Sequence, residues 1–165
     1  MKEVSYVMVK PHFANHQNII DYVKARLTEE LGLTIEKESY VKYDRAHAQK
    51  HYAEHFRGSY ENAKGFYKEL EDYITSDVAY GMKVSGEDVI AKVRSITGST
   101  IKIDKETGAK ILPAEGTIRF DVPVMIGEEH RMTENVLHAS DKPESAEAEL
   151  AIFEELSVAN QRTNG

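Results

Sequence analysis

The sequence contains no cysteine among its 165 residues, so disulfide frameworks and thiol chemistry are excluded. It has no apolar run long enough to span a membrane, and the stretch at its start, Met1–Lys10, is too short and too polar for a signal peptide. Positive charge is also scarce: 21 Lys and Arg face 28 Asp and Glu, and the net charge is −7. This balance argues against general binding to nucleic acid or to anionic membranes. We therefore expect an intracellular, cytoplasmic enzyme or binding domain.

Length and composition indicate one globular domain. A chain of this length can enclose a sizeable core, and 41% hydrophobic with 30% charged residues is typical of such proteins. We find no internal repeat and no composition shift that marks a second domain. We expect a single domain over residues 1–158 and a flexible C-terminal tail at 159–165.

Hydrophobic periodicity predicts alternating strands and helices. The predicted strands are Val4–Val9, Leu33–Tyr43, Val78–Val84 and Phe120–Ile126. The predicted helices are 20–31 closed by Gly32, Arg45–Phe56 after an Asp44 cap, Glu61–Ile74, one capped by Ser85 and ended by Gly98 with its apolar positions between Val89 and Ile96, and one after Asp141. Lys102–Glu115 reads as a long loop or a small hairpin, and Gly127–Thr133 as a second polar insertion. This order fits an α/β (α+β) fold: a ferredoxin-like βαββαβ sandwich whose antiparallel sheet is covered by helices.

The stretch Asn135–Asp141 contains the sharpest chemical signal. Asp141 and Glu144 have capping-box spacing, which predicts a helix whose free N-terminal amides favour negative charge just after His138. Side chains on a helix tilt toward its start, so Glu149 could hold one ring nitrogen of His138 and leave the other to attack. The alternative is a buried histidine beside an ordinary helix cap.

Two further features allow both a functional and an ordinary interpretation. Lys10 ends a buried strand before Pro11, where it could contact a phosphate or simply extend to the surface. His47, His51 and His55 are spaced four residues apart on one helix, which suits either a transition metal or a solvated helix face.

Several motifs, in their order along the chain, resemble the nucleoside diphosphate kinase family from about Val4 to Leu156. The most specific is Asn-x-x-His-x-Ser-Asp followed by Glu-Ser-Ala-Glu. The matching strings are Val-Lys10-Pro11, His51-Tyr52-Ala-Glu-His, Gly65-Phe66-Tyr, Arg94 with Gly98 and Thr100, Gly116-Thr-Ile-Arg119, Asn135-Val-Leu-His138-Ala-Ser140-Asp141 and Glu144-Ser-Ala-Glu147.

The resemblance implies a ping-pong kinase in which His138 takes the γ-phosphoryl group of a nucleoside triphosphate and passes it to a diphosphate. ATP, GTP and the other nucleotides are the implied partners. The implied roles are phosphate contacts for Lys10, Tyr52, Arg94, Thr100 and Arg119, a sugar contact for Asn135, base contacts for Phe66 and Leu70, and orientation of the histidine by Ser140 and Glu149.

Phosphoryl transfer depends on positioned cations, and stacking on an aromatic side chain tolerates every base, so broad nucleotide specificity is expected. The resemblance further implies Mg²⁺ carried by the nucleotide, with no protein metal cage, and a homo-oligomer. Two alternatives are a nucleotide-binding or regulatory relative with reduced turnover, and a metal-binding module built on the histidine stripe.

The chain departs from the family pattern at several positions. His12-Phe13 replaces the usual Asp-Gly, and Ala139 replaces the glycine after the active histidine. Both segments flanking Arg119 are longer than usual, in the region where the family covers its nucleotide and meets neighbouring subunits. Charged residues there are costly to bury without partners, so we expect a dimer built from the sheet and helix surfaces, or a loosened higher assembly. These charges are Lys102, Lys105, Glu128 and Glu129.

Overall fold

The computed structural model describes residues 2–55, 64–131 and 135–164. Within them, the side chains of residues 53–55, 64–67 and 158–164 lie outside the described part. The strands are β1 (Lys2–Val9), β2 (Thr34–Val41), β3 (Ala79–Glu87), β4 (Lys102–Ile103), β5 (Lys110–Ile111) and β6 (Leu137–Ala139). The helices are α1 (Gln17–Ala25), α2 (Arg45–His55), α3 (Lys64–Thr75), α4 (Val89–Thr97), α5 (Ile118–Met125) and α6 (Pro143–Asn164). A 3₁₀ turn (Phe13–Asn15) precedes α1 and a π turn (Arg26–Glu30) follows it.

The main sheet has four strands in the order β2-β3-β1-β6, and each neighbouring pair is antiparallel. This arrangement confirms the predicted ferredoxin-like sandwich. Successive side chains of a strand point to opposite faces, so β1 supplies two cores. Val7 and Val9 pack with α1 and α4 on one face, whereas Tyr6 and Met8 pack with α2, α3 and α6 on the other.

Most helix boundaries follow the expected local signals. Asp44 caps α2, because its Oδ1 accepts the His47 amide at 2.7 Å. Gly32 closes the helical segment that begins with α1, and its φ of +67° is a conformation that glycine adopts at little cost. α6 begins at Pro143, where the missing amide hydrogen costs nothing. Among the described residues, we find no helix with both the length and the apolar content to cross a membrane.

The strand predicted at Phe120–Ile126 is wrong, because this segment forms helix α5. Ile118 and Val122 are both fully buried and lie one helical turn apart. The run Val122-Pro-Val124 and the glycines on either side resemble a bounded strand, and eight residues are too few for the helical period to dominate. The consequence for the site is that Arg119 extends from a helix rather than from a sheet.

The predicted Ser85 cap is also wrong. β3 continues to Glu87, because β1 begins at Lys2 and pairs with β3 from Glu87 back to Tyr80. Ser85 is therefore buried in the sheet opposite Val4, and Asp88 precedes α4.

The two segments with unusual length differ in structure. Lys102–Glu115 contains the small hairpin β4–β5, whose turn is fixed by Asp104: its Oδ1 accepts the Glu106 amide at 2.8 Å. Of Gly127–Thr133, residues 127–131 are described and 132–133 are not. At the C-terminus α6 extends to Asn164, so the backbone of 159–164 is helical, and the flexibility of 159–165 stays a prediction.

Candidate active site

Central strand β1 and the neighbouring edge strand β6 bring Lys10 and His138 to the same part of the sheet. β1 and β6 are neighbours, and Met8 lies opposite His138 in their register. Lys10 follows β1 directly, and its amide donates to the carbonyl of Val136 at 2.7 Å. Residues 128 positions apart in the sequence are thereby held at one site.

Val136 has a backbone conformation that its sequence does not indicate. Its φ is +73°, which is rare for a β-branched residue and costs about 1–3 kcal/mol. The surrounding structure maintains it: the side chain is fully buried and the carbonyl accepts the Lys10 amide. Next to it, the Asn135 side-chain oxygen accepts the Lys10 ammonium at 2.7 Å. The strained Val136 thus helps to position the hydrogen bond between Lys10 and Asn135.

His138 is oriented by a buried carboxylate. Its Nε2 lies 2.8 Å from Oε2 of Glu149, which is fully buried on α6. The other carboxylate oxygen of Glu149 accepts the Ser140 hydroxyl at 2.7 Å, and Ser140 Oγ accepts the Tyr6 amide at 2.9 Å. This chain of contacts brings His138, Ser140 and Glu149 together, and it ties the carboxylate to the centre of the sheet.

Aromatic rings surround the histidine. The ring of His51, fully buried on α2, meets the His138 ring edge-on at a centroid distance of 4.6 Å. Tyr6 lies on another side at 6.0 Å, and its hydroxyl is 2.9 Å from that of Tyr43. Burial raises the pKa of Tyr6, so this hydroxyl stays protonated. His51 and Tyr6 were not predicted as parts of this environment.

The cationic side chains have unusual protonation equilibria. Burial, helped by the positive charge of Arg119, lowers the pKa of Lys10 to about 7. Burial and the nearby Arg94 lower the pKa of Arg119 to about 10. The Arg119 guanidinium donates to the carbonyls of Gly98 and Leu137, both at 2.9 Å. Such crowding of positive charge is costly in the absence of an anion.

A cleft of about 480 Å³ opens in front of these groups, a size that suits a small-molecule ligand. The predicted site residues that line it are Lys10, Tyr52, Leu70, Arg94, Thr100, Arg119, Asn135 and His138. Ser140 and Glu149 lie buried behind His138. Phe66 lies on α3, and its side chain is outside the described part. The lining residues to which sequence reasoning assigned no binding role are Gly98, Ser99, Ile101, Lys102, Ala139 and Asp141.

The histidine stripe does not form one metal site among the described side chains. His47 is paired with Asp44 and Glu155, each at 2.8 Å, on the outer side of α2. His51 faces inward against His138. The side chain of His55 lies outside the described part of the structure.

Two departures from the expected pattern contact each other. His12 has a φ of +53°, and its Nε2 lies 2.8 Å from Oε2 of Glu128 in the second insertion. The replacement after Lys10-Pro11 therefore helps to fasten the inserted segment at the edge of the site.

The arrangement combines a histidine beside a buried carboxylate, three clustered cations and a cleft of nucleotide size. A carboxylate 2.8 Å from Nε2 favours a proton on that nitrogen, which leaves the lone pair on Nδ1. The cations suit the oxygens of a transferring phosphoryl group. The geometry is therefore competent for phosphoryl transfer by way of the histidine.

Comparison with known proteins gives a consistent result. The family model for nucleoside diphosphate kinase matches residues 3–157. The nucleoside diphosphate kinase of Listeria monocytogenes is 35% identical over 151 residues, covering 92% of this chain and 88% of the relative. That of Methanosarcina mazei is 36% identical over 159 residues, covering 96% and 92%. The Halobacterium salinarum enzyme, solved in complex with CDP, superposes with a TM-score of 0.68 at 29% identity, covering 93% and 88%. The chain belongs to the nucleoside diphosphate kinase family.

Proposed function

We propose that the chain catalyses nucleoside diphosphate kinase turnover in two steps through a phosphohistidine at Nδ1 of His138. The Nδ1 lone pair attacks the γ-phosphorus, the bond from that phosphorus to the β–γ bridging oxygen breaks, and the nucleoside diphosphate leaves. A β-phosphate oxygen of a second diphosphate then attacks the same phosphorus and the N–P bond breaks. The observation that supports this most is the 2.8 Å contact between His138 Nε2 and buried Glu149.

The cations stabilise charge that develops on the transferring group. Arg119, Arg94 and Lys10 line the cleft around His138. Arginine forks suit phosphate oxygens, and donors fixed in advance need no rearrangement during the reaction. We assign phosphate contacts to these three residues together with Tyr52 and Thr100, and sugar contact to Asn135.

The apolar side of the cleft would receive the base. Leu70 lines the cleft from α3, and Phe66 lies one helical turn earlier in the same helix. Stacking on an aromatic side chain accepts every base, which supports a broad range of nucleotides.

Mg²⁺ fits this site as an ion that arrives with the nucleotide. Asp141 is the one carboxylate among the described residues that line the cleft, which is too few for a protein-built Mg²⁺ cage. When bound, Mg²⁺ would neutralise charge on the β- and γ-phosphates. We further propose a cytoplasmic enzyme that acts as a homo-oligomer, with residues 1–158 forming one domain.

Exposure to γ-labelled ATP and Mg²⁺, followed by a chase with CDP or GDP, tests the proposal. We expect acid-labile, base-stable label on the protein and its transfer to the added diphosphate. His138→Ala should abolish both. A protein that binds nucleotide tightly but takes no label would instead be the regulatory relative, and label on Ser140 would refute the assignment.

A further inference from the structure

Three side chains that could bind a metal ion lie together inside the proposed catalytic centre. His51, His138 and Glu149 each offer one ligand atom, and these atoms all lie within 4.8 Å of one another. All three side chains are buried, at 0%, 6% and 0% exposure. They come from three separate elements, α2, β6 and α6. The reaction uses His138 and Glu149, but it gives no role to His51.

The chemistry of this set matches that of a zinc site with an open position. Two imidazoles and one carboxylate form a ligand combination found in catalytic zinc sites, with water as the fourth ligand. Hard cations such as Mg²⁺ prefer oxygen ligands, so the two nitrogens favour zinc and its transition-metal neighbours. The cleft reaches His138, whereas His51 and Glu149 are fully buried and do not line it, so a cation would have to pass the His138 ring.

The neighbouring residues provide the outer contacts that metal ligands need. Ser140 donates to one oxygen of Glu149 at 2.7 Å and thereby turns the other toward His138. The ring of His51 meets Tyr43 at 5.9 Å and Tyr52 at 4.9 Å, both edge-on. A hydrogen bond to a ligating carboxylate, such as the one from Ser140, fixes its orientation and strengthens metal binding, whereas the rings around His51 hold it by packing.

The spacing allows one ion after a small adjustment. Ligand distances of about 2.0–2.1 Å place the donors of a tetrahedral ion about 3.4 Å apart. The contact between His138 and Glu149, now 2.8 Å, would open slightly. The widest gap, at most 4.8 Å, would close by about 1.4 Å, which small rotations of the His51 side chain can supply.

We propose that His51, His138 and Glu149 form an inhibitory binding site for a zinc-class divalent transition-metal cation. The bound cation replaces the contact between Glu149 and His138 Nε2 that fixes the reactive tautomer, and it withdraws electron density from the imidazole. His138 then accepts no phosphoryl group until the metal leaves. The inhibition rests on the proposed phosphohistidine reaction, whereas metal binding does not depend on it.

Metal binding is measured first, on tag-free protein without nucleotide. Titration of the intact protein with Co²⁺ should give a visible absorption spectrum of low-coordinate cobalt with one equivalent bound, and Zn²⁺ should displace it. His51→Asn and Glu149→Gln should each weaken Zn²⁺ binding, in competition with a chromophoric chelator, by at least about 10–100-fold, the loss typical even of outer-contact changes. His47→Asn is the matched control, because His47 lies on the same helix but pairs with Asp44 and Glu155.

Inhibition is measured next, as the rate of His138 labelling by γ-labelled ATP in excess Mg²⁺ with and without buffered free Zn²⁺. Zn²⁺ should slow labelling of the unmodified protein and of His47→Asn by the same factor, and of His51→Asn much less. Absence of a cobalt spectrum in the unmodified protein, or a zinc response that follows His47, would overturn the site. Equal inhibition of His51→Asn would also overturn it. If the protein takes no label even without zinc, the proposed function is refuted, and the cobalt and zinc titrations alone decide whether the metal site exists.

Discussion

Glu149 has two carboxylate oxygens, and each contacts a different neighbour. One accepts the Ser140 hydroxyl at 2.7 Å, and the other lies 2.8 Å from His138 Nε2. The first contact holds the carboxylate in place, and in the proposed reaction the second selects the histidine tautomer. At the scale of single residues, the proposed reactivity of His138 therefore depends on a carboxylate buried behind it.

Glu149→Gln should lower the rate of phosphoryl transfer by roughly 10–100-fold, because the amide still fills the space but no longer selects the tautomer as strongly. The KM for nucleotide should change little. Initial-rate assays at saturating nucleotide measure the loss of rate. Glu154→Gln on the same helix is the control, since Glu154 is exposed and pairs with Lys37 away from the cleft. Equal rates for the unmodified protein and Glu149→Gln would show that Glu149 is only structural.

The lowered pKa of Lys10 and its proposed phosphate contact predict that nucleotide binding is linked to proton uptake. Free protein holds Lys10 largely protonated below about pH 7 and largely neutral above it. A bound phosphate favours the charged ammonium, so binding at pH 8 should take up protons and binding at pH 6 should take up few. Calorimetry of ADP binding in buffers with different ionisation enthalpies counts these protons.

Lys10→Met should abolish most of the uptake at pH 8, whereas Lys24→Met, which changes an exposed lysine paired with Glu38, should leave it intact. Proton uptake that is the same at pH 6 and pH 8, or that persists in Lys10→Met, would contradict the assignment.

The sequence could predict a residue's role only where the pattern that indicates it is local in the chain. The Asn135–Asp141 motif predicted both His138 and its partner Glu149, because helix geometry brings the latter back toward the helix start. The positive φ of Val136 and the lowered pKa of Lys10 could not be predicted, since both result from packing between segments remote in sequence.

At the scale of elements, the end of α4 and the start of α5 together position Arg119. Gly98 follows α4 with a φ of +92°, and its carbonyl accepts the Arg119 guanidinium at 2.9 Å. A side chain at this position would collide with the residue that caps α5, because a Cβ there would lie 2.5 Å from Thr117 Oγ1. The glycine thus permits the close approach that directs the arginine.

Gly98→Ala should destabilise the protein more than Gly108→Ala. Both glycines have a positive φ, for which alanine pays about 1–2 kcal/mol in the left-handed region, and the ψ of 166° at Gly98 places it in a region that essentially only glycine adopts. At Gly108 nothing lies within 4 Å of the added Cβ, so only Gly98→Ala adds a collision, worth roughly 1–3 kcal/mol more. Urea unfolding at equal protein concentration gives the difference. Equal stabilities would show that α5 moves away freely and that Gly98 does not fix Arg119.

The type of an element was predicted correctly where its apolar pattern extends over many residues, and incorrectly where the pattern is short. The β-rich runs predicted strands β1 and β3, and the spaced apolar residues predicted helices α1 and α4. α5 was mistaken for a strand, because eight residues with Pro123 and β-branched neighbours show no clear helical period. The end of β3 was misplaced, since pairing with the start of β1 extends it past the apparent cap.

At the scale of the whole molecule, the two insertions shape the surface near the cleft. The β4–β5 hairpin exposes Ile103, Ile111 and Leu112 beside charged residues, among them Lys102 and Lys105. Glu128 in the second insertion is paired with His12, which bridges to the start of the chain. Burial of unpaired charges in a tight contact between subunits is costly.

We expect a dimer, or a larger particle that dissociates to dimers in moderate salt. Light scattering and sedimentation at micromolar protein, at low and at moderate ionic strength, decide this. A hexamer that resists salt would show that the exposed charges find partners across subunits, and it would contradict the expectation.

The overall fold was predictable because the order of strands and helices restricts the chain to few topologies. The composition of the site was predictable only through motifs that resemble a known family. The cleft, the edge contact between His51 and His138, and the pairing of His12 with Glu128 were not, because each joins segments that no local pattern connects.

The central claim is that Glu149 holds Nε2 of His138 and so directs phosphorylation to Nδ1. Protein labelled with γ-labelled ATP, hydrolysed in alkali and chromatographed beside Nδ1- and Nε2-phosphohistidine standards, tests this most directly. The geometry predicts that essentially all label migrates with the Nδ1 isomer and that none survives in His138→Ala. Label on the Nε2 isomer, or on a residue other than His138, would contradict the account.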